Sequence, residues 1–315
     1  MKKEILEILN ENDYVSGEKI AEKLSVSRTA IWKQINNLKK MGYKISSVKN
    51  KGYKIQSRPD RPFEQEIKRN LDTKIIGRRI KYFNNVPSTN TYLKKNIEKN
   101  FLEGTIIVSD IQTKGRGRKK RFWSSKKGGL WFSIILYPDI SPDKEVFITM
   151  SASISIYKAI KELTGIESTI KWPNDILIDE KKVCGILTEF DAETDRINYA
   201  ILGIGINANN EIDNNLKEIA TSIKRQYNKK ISRVYLIRFI IKFFDRYYLE
   251  VKNKKYDKIR DEWLSHSKII GKKIKVAQNK DVIKGIVKNV DKNGFLILNT
   301  EDGEKRILSG DIEYI

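Results

Sequence analysis

Over the first forty positions apolar residues return every three or four places, the interval of a helix with one buried face. Ile5, Leu6, Ile8 and Leu9 give such a face to residues 2–11. Ser16 is placed to cap a second helix over GEKIAEKL. Ser27 caps a third over RTAIWKQINNLKKMG, with Ala30, Ile31, Ile35 and Leu38 inside and Gly42 at its end. From Tyr43 the period drops toward two, and 43–47 and 52–55 read as short strands about the basic turn Val48-Lys49-Asn50-Lys51. Three helices and a basic hairpin make a winged helix-turn-helix. The third helix of such a unit enters the major groove with its first turns, which sets Ser27, Arg28, Thr29 and Lys33 against DNA and Lys49 and Lys51 against phosphates. A small helical domain used for protein contacts carries the same apolar spacing and stays open on pattern alone.

Ser57-Arg58-Pro59-Asp60-Arg61-Pro62 holds two prolines, which forbid helix and favour a stiff, extended connection, so a domain boundary is expected there. Beyond it the pattern predicts strand 80–84, a helix capped by Ser88, strand 105–110, a loop, strand 129–136 and a long helix 142–164. Strands near 168–178, 182–190 and 197–206 follow. Val234, Ile237, Ile240, Ile241, Phe244, Tyr248 and Val251 keep helical spacing through 222–264. After Lys268, short alternating runs at 274–276, 282–287 and 295–298, parted by turns at 291–294 and Asp302-Gly303, predict a small β-barrel. The class is α+β: a winged helix-turn-helix over 1–60, a central mixed-sheet α/β domain over 61–267 and a C-terminal barrel over 268–315.

Composition narrows what such a chain does. Its 315 residues are 39% hydrophobic and 32% charged, enough apolar material for a real core and too much for a disordered polymer. No run approaches the roughly 18 apolar residues of a membrane span. The start MKKEILEILNEND turns acidic where a signal peptide stays apolar, so a soluble, cytoplasmic protein without a membrane partner is expected. Lone Cys184 makes no internal disulfide, and a single histidine, His266, excludes zinc sites and catalytic triads built on several histidines. A net charge of +22 points to a polyanionic partner, although a composition rich in Lys, Asn and Ile spreads part of it over solvated surface. Clustering separates the two: residues 114–127 hold 8 basic residues and no acid.

Within that cluster, Lys114-Gly115-Arg116-Gly117-Arg118-Lys119-Lys120-Arg121-Phe122-Trp123 pairs two glycines that free the backbone with cations that surround phosphate oxygens. Like charges this dense repel one another, so the loop is expected to be mobile until an anion orders it; a second nucleic-acid patch fits the same composition. No G-x-x-x-x-G-K-[ST] run occurs, which excludes a P-loop. Gly203-Ile204-Gly205-Ile206-Asn207-Ala208 meets the loose dinucleotide pattern but lies inside an apolar strand and opens no helix. In Lys171-Trp172-Pro173-Asn174-Asp175 the proline extends Trp172 and ends a strand, projecting Asn174 and Asp175 from the following turn. Lys182, at the mouth of the apolar strand Val183-Cys184-Gly185-Ile186-Leu187, is either a cation poised for a carboxylate or an ordinary hairpin lysine.

Taken in order, Pro87-Ser88-Thr89-Asn90, Gln112 to Arg118, Phe122-Trp123, Lys171 to Asp175, Lys182 to Leu187 and Gly203 to Asn207 closely resemble the biotin protein ligase family. With the N-terminal winged helix, the likeness is to its bifunctional branch of ligases that also repress the biotin operon. It spans the whole chain in three parts, and its specificity lies in the ordered co-occurrence of the segments. One departure is Cys184, where the family usually has a smaller residue, often alanine; a thiol this apolar in setting and without a nearby base is read as packing.

The resemblance implies a catalytic domain of the biotin/lipoate ligase type, an SH3-like cap and a two-step reaction using biotin, ATP and Mg2+. Biotin's carboxylate attacks the α-phosphate of MgATP to give biotinyl-5′-AMP and pyrophosphate, and a lysine of a biotin carboxyl carrier domain then displaces AMP. Carried over by motif, Ser88, Thr89, Asn90 and Gln112 hydrogen-bond the biotin head group, and Gly115, Arg116, Gly117 and Arg118 wrap carboxylate and phosphate. Lys182 holds the biotin carboxyl oxygen and, with Arg116 and Arg118, carries the chemistry. Arg118, Arg121, Trp123, Lys171, Asn174, Asp175 and Asn207 serve the nucleotide. Magnesium arrives with ATP, and Asp175 is the residue nearest to meet it. The family's repressors bind operator DNA as homodimers when adenylate is bound. A lipoate-type ligase shares the fold, and a DNA-binding sensor of a small anion shares the architecture without catalysis.

Overall fold

The computed structural model describes residues 1–9, 13–278, 281–308 and 310–315. They fall into two compact units, 1–61 and 62–315. The first contains α1 (Lys2–Ile8), α2 (Gly17–Lys23), α3 (Arg28–Lys40) and an antiparallel hairpin of β1 (Lys44–Val48) and β2 (Gly52–Ser57). Both predicted caps form: Ser16 Oγ accepts from the Lys19 amide at 3.1 Å and Ser27 Oγ from the Ala30 amide at 3.2 Å. Ile5, Ile20, Ile31, Ile35, Leu38, Tyr43 and Ile55 are buried and form the small core. Gly42 at φ +100° reverses the chain after α3. The first helix is shorter than the apolar spacing over 2–11 predicts; positions 10 and 11 lie outside the described residues.

The second unit begins with α4 (Glu64–Lys68), a short helix the apolar pattern does not announce. There follow β3 (Ile80–Val86), α5 (Thr89–Lys95), β4 (Ile106–Gln112), β5 (Leu130–Leu136), α6 (Val146–Thr164), β6 (Thr169–Lys171), β7 (Asp175–Ile178), β8 (Lys181–Ala192) and β9 (Ile197–Ile206). Then come α7 (Ile223–Tyr227), α8 (Arg233–Lys252), α9 (Tyr256–Ser267), β10 (Lys273–Gln278), β11 (Asp281–Val290), β12 (Leu296–Thr300), β13 (Gly303–Ile307) and β14 (Asp311–Tyr314). Seven strands form one mixed sheet in the order β3-β4-β5-β9-β8-β7-β6, in which β3 and β4 run parallel. The last five form an antiparallel sheet, β13-β12-β11-β10-β14.

Strand alternation sorts the large sheet's side chains between two layers. Ile106, Val108, Phe132, Ile134 and Leu202 join Ile154, Ile237, Phe244 and Trp263 of α6, α8 and α9 in the main core. Ile107, Ile135 and Ile201, on the opposite face, meet Leu93 of α5 in a smaller cluster. The second face is therefore less thickly covered, and a cavity opens there.

Several predicted elements are redrawn. Residues 222–264 are three helices, because Asn228 and Lys254 take left-handed backbone at φ +59° and +56° and turn the chain where apolar spacing has nothing to report. The helix expected over 142–164 begins at Val146, after one 3-10 turn at Pro142–Lys144. The strand region near 168–178 is a hairpin, and Asp175 is the first residue of β7 instead of part of the turn. β13 and β14 escape the sequence because GEKRI and DIEY lack the apolar alternation of a core strand.

Candidate functional site

On the α5 face of the large sheet lies a cavity of about 360 Å³. Its floor is polar and interlocked. Ser88 caps α5 through its hydroxyl, which accepts from the Thr91 amide, and thereby presents Thr89 and Asn90 to the sheet. The Thr89 amide and hydroxyl both donate to Gln112 Oε1, at 2.8 and 3.0 Å, and Gln112 Nε2 donates to Ser125 at 2.9 Å. Ser133 Oγ lies 2.6 Å from Thr89 Oγ1 and 2.5 Å from Asn90 Oδ1. Asn90 Nδ2 donates to Glu189 Oε2 at 2.8 Å. Thr89 and Asn90 sit on α5, Gln112 on β4, Ser133 on β5 and Glu189 on β8, so most of the network is held by regular structure; Ser125 joins it from the loop after β4 through an isolated bridge to Gln112.

Three glycines in the strands make room for it. A Cβ on Gly203 would stand 2.2 Å from Asn90 Oδ1, and one on Gly205 would stand 2.6 Å from Trp123 Nε1. A Cβ on Gly185 would stand 3.0 Å from the Trp123 ring. Glycines that look like a weak nucleotide motif in sequence are thus clearances beneath functional side chains.

The cationic loop closes over this floor. It folds on itself through a Trp123 amide to Gly115 carbonyl bond and a Gly117 amide to Arg121 carbonyl bond, at 2.9 and 2.8 Å. Lys119 and Lys120 take left-handed backbone at its tip. Two acids far away in sequence offset its charge. Glu189 Oε1 is 3.5 Å from Arg116, and Asp311 of β14 is 3.1 Å from Lys119 and 2.6 Å from Arg121. Arg118 donates to Asn174 Oδ1 at 3.4 Å and to the Gly310 carbonyl at 3.2 Å. Burial acts to raise the Asp311 carboxyl, but the two cations outweigh it and hold the group below the ordinary aspartate value. These partners offset part of the mutual repulsion expected from sequence.

Opposite the loop, Lys182 Nζ lies 2.7 Å from Asp175 Oδ1 and 5.2 Å from the centre of the Trp123 ring. Neighbouring Cys184 is fully buried, and burial together with the Asp175 charge pushes its thiol well above the ordinary range, which removes it as a nucleophile. Asn174 Nδ2 donates to the Ile186 carbonyl at 2.7 Å, and Asn207 Oδ1 accepts from Asn210 at 3.0 Å.

Ser88, Thr89, Asn90, Gln112, Arg116, Gly117, Arg118, Arg121, Trp123, Asn174, Asp175, Lys182 and Asn207 all line this one cavity. Two residues proposed from sequence do not. Gly115 supports the loop from behind, where a Cβ would meet the Trp123 carbonyl at 2.4 Å. Lys171 points its ammonium over the Tyr314 ring at 5.3 Å. Ser133, Glu189 and Asp311 are not singled out by the sequence: the first two are isolated polar residues in predicted strands, the third lies in a strand the pattern does not announce, and only the fold joins them to the motifs. Among the described residues no group of three His, Cys, Asp or Glu side chains is arranged to hold a metal ion.

In the first unit, Arg28, Thr29 and Lys33 are exposed on α3, and Lys49 and Lys51 are exposed at the hairpin turn. Ser27 is exposed too, but its hydroxyl is engaged in capping α3. No helix among the described residues is long and apolar enough to cross a membrane.

A mixed-sheet domain with a polar-floored, cation-lidded cavity, carried with a winged helix, defines the class: a ligase fold joined to a DNA-binding fold. Family models agree part by part. The HTH domain matches residues 2–54, the Biotin/lipoate A/B protein ligase family 82–207 and the Biotin protein ligase C terminal domain 269–314. The bifunctional ligase/repressor BirA of Bacillus subtilis is 39% identical, covering 99% of this chain and 98% of its own. Its Escherichia coli counterpart is 25% identical over 98% and 95%. The structure of biotin protein ligase from Aquifex aeolicus in complex with biotin and ATP superposes with a TM-score of 0.67 at 32% identity, over 76% of this chain and 99% of that one. The chain belongs to the family of bifunctional biotin ligase/repressors.

Proposed function

We propose that this chain activates biotin with MgATP, transfers it to a lysine of a biotin carboxyl carrier domain, and represses biotin genes through its winged helix. The observation that carries the ligase reading is the convergence of Arg116, Arg118 and Lys182 on one cavity whose floor is the Thr89, Asn90, Gln112 and Ser133 network. A cyclic urea such as the biotin head group offers both donors and a carbonyl, and amide and hydroxyl side chains of this kind satisfy both. Ser88, Thr89, Asn90 and Gln112 are assigned that role.

Joining a carboxylate to a triphosphate brings two anions together, and cations already aimed at them lower the cost. Lys182 takes the biotin carboxylate in exchange for Asp175, and Asp175 and Asn174 would then be the residues available to serve the nucleotide and the magnesium it carries. Arg116 and Arg118, with Gly115 and Gly117 giving the loop its path, bracket the α-phosphate; Arg121, Trp123 and Asn207 complete the adenylate site. Carboxylate oxygen bonds to the α-phosphorus as the bond to pyrophosphate breaks. The acceptor amine then attacks the acyl carbon and AMP departs with the electron pair. Lys171, turned toward Tyr314, takes at most an indirect part.

The three functional parts are read as 1–60 for DNA, 61–267 for catalysis and 268–315 as a cap whose Asp311 holds the loop. The repressor acts as a homodimer when adenylate is bound, so dimerisation tightens adenylate retention by linkage. The protein works in the cytoplasm, where ATP and the carrier domain are found.

The test is incubation with ATP, magnesium, a carrier domain and either biotin or lipoate, read by intact mass. Biotin labelling of one lysine supports the reading. Labelling by lipoate alone makes the chain a lipoate-type ligase, and biotin binding with no labelling makes it a sensor.

A further inference from the structure

We propose that Trp32 reads thymine methyl groups in the major groove, supplying base specificity that the charged residues of α3 do not. The inference rests on α3 as the recognition helix. Ile31, Ile35 and Leu38 turn inward to the core of the first unit, whereas Trp32 is 56% exposed. A single apolar residue in water is ordinary on most surfaces. Three features set this one apart.

It lies within the first turns of α3, the part of a recognition helix that reaches base edges. It stands one turn beyond Arg28 and one turn before Asn36, so these three side chains form a row, with Thr29 and Lys33 forming the row beside it. And α3 carries four cations and no acid, which disfavours an apolar protein partner and favours a polyanion. The surface that covers Trp32 must therefore be anionic overall and apolar at a point. A DNA major groove meets both demands, because phosphates flank it and the thymine C5-methyl is its apolar feature.

An indole on methyl groups acts by burial, without releasing counterions. Its loss therefore lowers affinity without changing the salt slope, the reverse of removing a phosphate contact. The test uses the full chain with biotin and MgATP present, a duplex recovered by this protein from a randomised library, and the same duplex with every dT replaced by dU. The wild type is expected to prefer dT by about fourfold for each methyl contacted. Trp32→Ala is expected to bind both duplexes equally with the wild-type salt slope. Trp32→Leu, still apolar, is expected to keep part of the preference, and Lys33→Ala to keep all of it while losing about one unit of slope. A dT preference that survives in Trp32→Ala, a reduced salt slope in that variant, or loss of all binding in both Trp32 variants overturns the proposal. A wild type that recovers no preferred duplex overturns the recognition-helix reading with it.

Discussion

Asp311 accepts a hydrogen bond from Arg121 at 2.6 Å although the two stand 190 residues apart in sequence. The same carboxylate meets Lys119 at 3.1 Å, so the tip of the cationic loop is moored to the last strand of the chain. Asp311→Ala should free the tip. Limited trypsin digestion should then cut at 118–121 several-fold faster than in the wild type, and saturating biotin with MgATP should restore protection. Unchanged cleavage in the variant counts against the mooring.

Gly203 leaves room for Asn90, whose buried amide is fixed by Ser133 and Glu189 and has nowhere to retreat. Gly203→Ala is therefore expected to raise the KM for biotin at least about tenfold, the effect of displacing one well-made polar contact, while leaving the KM for ATP within about twofold. Equal loss for both substrates points to misfolding of the sheet instead.

Glu145, at the start of α6, has a carboxyl pushed up to about 7 by burial, partly offset by nearby Arg118. The folded value lies above the ordinary 4.5, so the folded state holds the proton more tightly than the unfolded one. Stability should therefore fall as pH rises from about 4.5 to 7, and the full cost is present above that window. Glu145→Gln should stabilise the second unit by on the order of 1–3 kcal/mol at pH 8 and by little at pH 5, measured by urea unfolding. An equal effect at both values contradicts the assignment.

DNA affinity should fall steeply with salt. Lys51→Ala, at the exposed hairpin turn, should make that dependence shallower by about one unit and weaken all duplexes alike. Arg28→Ala should mainly reduce discrimination between the selected duplex and random DNA. Equal losses on both duplexes for Arg28→Ala contradict base readout by that residue.

Much of this was legible in sequence where chemistry is written in contiguous residues. The Ser16 and Ser27 caps, β9 over 197–206, the loop from Lys114 to Trp123 and the Lys182 strand all follow from local patterns, because caps, turns and strand runs are settled by near neighbours. The partners of those motifs were hidden. Glu189 and Asp311 are isolated acids whose value comes from strand order, which places β8 beneath Asn90 and β14 beside the loop. Lys171 shows the converse: it sits within a motif yet faces Tyr314, because β6 turns its side chain away from the cavity. Gly203 and Gly205 were visible as glycines in a strand, but what each one clears is a fact of packing.

In the proposed first step Arg116, Arg118 and Lys182 hold two anions together while the carboxylate oxygen attacks the α-phosphorus and pyrophosphate leaves. Pyrophosphate release measured with biotin and MgATP but no carrier domain tests it most directly. A biotin-dependent burst of about one equivalent per chain is expected, then near silence while the adenylate is retained, with the burst slowed at least about a hundredfold in Lys182→Gln. No biotin-dependent burst in the wild type, or an undiminished one in Lys182→Gln, would contradict it.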